Sequence, residues 1–186
     1  TGRELGGTSG KEFSVQFTDE MNDAFQNPAN NFIVHHNHPG VKQPGLLGVE
    51  GIGGTLSGAD LNVLVTHRGV NRVVAHGAKG STYSATATRA SSSLTPELLS
   101  EMDRVFSVHW DEAGLRALGS GEHVKQARFH ARNQLLDRLG LIKYESELVG
   151  ESAEYMAKNK IRLTKTMNGV RKQMVKEGTL PEAALK

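Results

Sequence analysis

"NFIVHHNHPGV" (residues 31–41) is the stretch on which the reading of this chain turns. A short apolar run with β-branched residues at its centre predicts a buried strand. His35, His36 and His38 follow directly. Side chains alternate faces along a strand, so His36 and His38 share one face if the strand continues through Asn37, and His35 takes the other. Two imidazoles on one face, at a strand end beside Pro39, can hold a divalent ion. Clustered histidines can also fill a polar strand end with no ligand role.

The partner for these rings is sought in "TLSGADL" (residues 55–61). Ser57 and Asp60 stand three apart at the start of a predicted helix, the spacing of a capping box in which both side chains satisfy free N–H groups. Taken alone, the cap explains them. Taken with the histidines, an Asp in the first helical turn facing the strand end gives a His₂Asp set. Such a set leaves a fourth tetrahedral position for water, as in a catalytic rather than a structural zinc site.

Composition narrows the alternatives. The 186 residues, 37% apolar and 23% charged, suit one globular domain or a domain with a helical extension. With no cysteine, disulfides and thiolate zinc sites are excluded, and a transition-metal site must use His and carboxylates. A net charge of +2, without a run of four Lys/Arg, gives no clear nucleic-acid site. No apolar stretch approaches the roughly 18 residues that span a bilayer. The opening "TGRELGG", without Met, fits a piece of a longer chain.

The sequence changes character near residue 90, and "TRASSSLTPE" (residues 88–97) is the boundary candidate. Before it, "FSVQF" (13–17) alternates like a half-buried strand, Thr18 caps a short helix, and "SGADLNVLVTH" has helical spacing. "VNRVVAHG" and "STYSATAT" read as strands turned by "AKGS". The order predicts an α/β fold, a small domain on a mixed sheet over residues 1–90. Residues 91–186 read as an α-helical extension. Leu98, Leu99, Met102, Val105 and Phe106 form one stripe behind a Thr95 cap. Val124, Ala127, Ala131, Leu135 and Leu139 form another, ended by Gly140. Ala153, Met156, Leu163, Met167, Val170 and Met174 form a third, which could pack on the domain or on a partner.

"HNHP" followed by "SGAD" resembles the signature of JAMM/MPN zinc metalloproteases, most closely the RadC-like bacterial branch. "ELGGTSGKEFSV" upstream is similar to the segment before the metal strand in that branch. The resemblance covers roughly residues 1–88 and rests on five identities in order. It implies zinc bound by His36, His38 and Asp60, Ser57 as hydrogen-bond donor to the oxyanion, and hydrolysis of a peptide or isopeptide bond. The partner it implies is a protein or peptide substrate. As a domain context, a helical tail on such a domain suits a toxin, a delivered effector or a phage protein.

Two departures stand out. The spacer over residues 40–56 is about twice the usual length, and its Gly-rich loop reads as a lid or flap. The general base, a Glu on an earlier strand in the family, falls first on Glu4. Glu12 and Glu20 read as solvated carboxylates. Glu50 would be a solution foreign to the family, and a base upstream of Thr1 stays open. Two other classes compete: a metal-dependent nuclease toxin, suggested by "HHNH", and a catalytically inactive scaffold. His67, His76, His109, His123 and His130 read as surface or packing residues.

Overall fold

Thr18 caps the first helix as the sequence predicts: its Oγ1 accepts the Met21 N–H at 3.2 Å at the start of α1, Asp19–Gln26. The computed structural model describes residues 6–7, 16–38, 55–77, 80–112 and 121–185. Most of the predicted "FSVQF" strand, the Gly-rich loop, Glu4, Glu12, Glu50 and the side chain of His123 lie outside the described residues.

Among the described residues, four strands form one mixed sheet in the order β1-β2-β3-β4. They are β1 (Phe32–His38), β2 (Val70–Gly77), β3 (Thr82–Ala87) and β4 (Ile142–Glu147). β1 runs parallel to β2, and the remaining pairings are antiparallel. A parallel pair needs a crossover, which here includes α2, Gly58–Thr66. Gly69 joins the start of the unit: its N–H donates to the Phe25 carbonyl at 2.6 Å and its carbonyl accepts from Phe32 at 2.8 Å. A Cβ there would lie 2.5 Å from the Asn27 carbonyl oxygen, so only glycine permits this approach.

β1 corrects one expectation. It is not buried on both faces but alternates half-buried and exposed, with Ile33 54% exposed. A continuous apolar run suits a central parallel strand, whereas among the described residues β1 pairs with β2 alone.

The later half supplies α3 (Pro96–Glu112), α4 (Gly121–Arg138) and α5 (Gly150–Lys176). Thr95 Oγ1 accepts the Leu98 N–H at 3.2 Å, and Gly140 sits past α4 with φ +70°. The helical reading of this half gains one strand. "IKYESE" places Ile142 and Tyr144 inward between exposed Lys143 and Glu145, and pairs with β3. α5 packs on α3 and α4 through Leu163, Met167, Val170 and Met174. One hydrophobic cluster runs from Leu56, Leu61 and Val73 to Phe106, Trp110, Leu136 and Met167, so both halves bury the same core. Fully burying a side chain such as Phe106 or Leu136 contributes about 1.5–3 kcal/mol, and these contributions cross the residue-90 boundary.

Candidate metal centre

The βαβ geometry decides what meets what. β1 and β2 point the same way, so the helix between them runs back and starts near the carboxyl end of β1. Ligand sites in α/β sheets form outside that end. His36 and His38 lie on one face there, as the alternation predicts, and the first turn of α2 brings Asp60 to them. His36 Nε2 stands 2.9 Å from Asp60 Oδ1 and 2.8 Å from His38 Nε2; His38 Nε2 stands 3.5 Å from Asp60 Oδ2. One ligand atom from each residue lies within 4.8 Å of the other two.

These separations suit a small cation. Tetrahedral bonds of about 2.0–2.1 Å put neighbouring ligand atoms about 3.3 Å apart. Two neutral imidazoles cannot point lone pairs at each other across 2.8 Å, so a proton or a metal ion must lie between the rings. Burial raises the Asp60 pKa, but hydrogen bonds from His36 and His38 outweigh it and hold the carboxyl well below the usual range. It is therefore an anion at neutral pH, as a ligand must be.

The capping box is present as well, and it engages the oxygen farther from His36. Asp60 Oδ2 accepts the Ser57 N–H at 2.6 Å, and Ser57 Oγ accepts the Asp60 N–H at 3.3 Å. Oδ1 is left facing His36. The cap fixes the rotamer that presents the carboxylate, and the helix N-terminus favours its charge.

Beneath this turn lies a polar clamp that the sequence did not announce. The Leu56 carbonyl, one residue before Ser57, accepts from Arg132 Nη2 at 3.1 Å and Asn133 Nδ2 at 2.9 Å. Arg132 is fully buried, and its Nη1 donates to both oxygens of Asp103 at 2.9 Å. Its Nε and Nη2 also donate to Asn133 Oδ1. Thr55 is held by a second chain. Gln134 donates to His130 Nε2 at 2.9 Å, which leaves the proton on Nδ1. Nδ1 donates to the Tyr144 hydroxyl at 2.9 Å, and Tyr144 donates to Thr55 Oγ1 at 2.8 Å. Burial lowers the His130 pKa to about 4 and raises that of Tyr144, so both stay neutral. The one sequence signal was a polar Arg–Asn pair set between Ala131 and Leu135 of an apolar stripe.

Of the sequence candidates, the structure brings together His36, His38, Asp60 and, through the cap, Ser57. Glu20 is an exposed acid in the first turn of α1. His67 packs edge-on against Phe17 and Phe25, and His76 meets His35. No protein-family model matches the chain, and neither does a curated protein or a solved structure. Fold and site together define a mixed α/β protein with a His–His–Asp group that could hold a metal ion.

Proposed function

We propose that the chain is a zinc-dependent hydrolase, similar to JAMM metalloproteases, that cleaves a peptide or isopeptide bond. The observation that carries this reading is the convergence of His36, His38 and Asp60 on one point, three ligands among the described residues. Zinc held by these residues would supply Lewis acidity and a nucleophilic water at neutral pH. His36 and His38 give neutral nitrogen donors, and Asp60 gives one anionic oxygen. Ser57 Oγ accepts from Asp60 within the cap, and its own O–H stays available to donate to a developing oxyanion. The proton acceptor in this reading is Glu4, whose position lies outside the described residues.

The test begins with metal content. Protein purified and reloaded with zinc should carry about one equivalent by mass spectrometry, and should cleave fluorogenic peptide or isopeptide substrates but not plasmid DNA. Ser57→Ala should keep its zinc while turnover falls by about 10²–10³, the usual effect of losing one oxyanion donor. Absence of stoichiometric zinc would favour the scaffold reading. Plasmid cleavage without peptide cleavage would favour the nuclease.

A further inference from the structure

The near-neutral balance of the whole chain conceals a segregation of charge. Residues 155–176 hold seven of the 22 Lys/Arg and none of the 20 Asp/Glu. The rest of the chain is left with 15 basic and 20 acidic residues, a net −5. The segment lies within α5, so its periodicity can be read directly. Lys158, Arg162, Lys165, Lys172 and Lys176 recur every three, four or seven residues, which sets them along one helix face. All five are exposed, and none forms an ion pair among the described residues. At a rise of 1.5 Å per residue the row is about 27 Å long. Glu177, the next acid along the chain, already pairs with Arg104 at 3.4 Å.

We propose that this face of α5 docks along the phosphodiester backbone of duplex DNA, independently of sequence. The row spans about eight base pairs of a polyanion that carries one charge per roughly 1.7 Å. A membrane surface fits less well. An interfacial helix inserts its apolar face, whereas Leu163, Met167, Val170 and Met174 are buried against the protein's own core. Ile161, 81% exposed, is the single large apolar side chain exposed on α5. Single-stranded nucleic acid calls for aromatic stacking platforms, and the exposed positions of α5 include none. Shape-specific readers of duplex RNA span about 16 base pairs and two minor grooves, about twice the length of this row. The proposal does not depend on the metal centre.

The test is a fluorescence-anisotropy titration of the whole chain with 20-base-pair DNA duplexes of two unrelated sequences, between 50 and 200 mM salt. Three to five phosphate contacts predict a log–log salt slope of about −3 to −4.5, hence an affinity loss of about 40-fold or more across that range. The variant Lys158→Gln/Lys165→Gln/Lys172→Gln changes surface positions only. It should keep its melting temperature while the slope flattens by about 3. Lys143→Gln, on the sheet, should change nothing. The proposal is overturned if no duplex binds at 50 mM salt, or if the triple variant binds as the parent does. Tighter binding to duplex RNA, polyglutamate or phosphatidylserine vesicles than to DNA would overturn it too.

Discussion

Two histidine pairs lie on opposite faces of the sheet, one within β1 and one shared by β1 and β2, and meet different surroundings. His36 and His38 turn toward α2, where a carboxylate held by its own helix cap stands 2.9 Å away. His35 turns to the other face and meets His76, with Nδ1 and Nε2 3.0 Å apart and ring planes within 10°. Burial lowers the His35 pKa, and His76 and Arg72 lower it further. The nearby acid Glu145 is occupied by Arg72 and Lys143. Two imidazoles in contact are thus common to both faces. The difference is an anionic third donor, delivered by a separate element and kept charged. A cation beside the second pair works against metal binding, whereas a carboxylate beside the first works for it.

The contrast can be broken at its centre. Asp60→Ala should weaken zinc binding by more than the roughly 10–100-fold that loss of a supporting partner costs, read by competition with a chromophoric chelator. Wild-type affinity in this variant would erase the distinction between the faces. Arg132→Ala leaves the partly buried Asp103 carboxylate unpaired and takes one of two donors from the Leu56 carbonyl, so unfolding in urea should show a loss of about 3 kcal/mol. Zinc affinity should fall with it if the clamp holds the α2 turn in place.

A pH series sharpens the role of the second chain in that clamp. The folded pKa of His130, about 4, lies below its ordinary 6.5. As pH falls below about 6.5 the unfolded chain therefore takes up a proton that the folded chain refuses. Stability from this group is complete above that pH and is lost toward pH 4, by up to about 3 kcal/mol. His130→Gln should flatten that part of the profile, measured by denaturant midpoints between pH 4 and 7. The smallest effect belongs to the open face. His35→Ala should change stability by no more than about 0.5 kcal/mol and leave zinc affinity unaltered.

Much of the local structure was legible because it rests on short-range chemistry. Thr18, Ser57 and Thr95 cap the helices they were assigned to. Gly140 adopts the positive φ expected after α4. The alternation that put His36 and His38 on one face needs only the pleat of a strand. Less legible were β4, six residues lodged between two helices, and the half-exposed alternation of β1. Neither follows from periodicity alone, because strand neighbours are chosen by distant segments.

The sequence by itself determined which side chains could bind a cation and which helix turn would carry the acid, since caps and pleats act over a few residues. Only the tertiary structure decided that rings and acid converge, because that depends on a parallel crossover and on Arg132 and Asn133, 76 and 77 positions beyond Leu56, gripping its carbonyl. A buried guanidinium requires its partners wherever in the chain they lie, and local spacing does not record where that is.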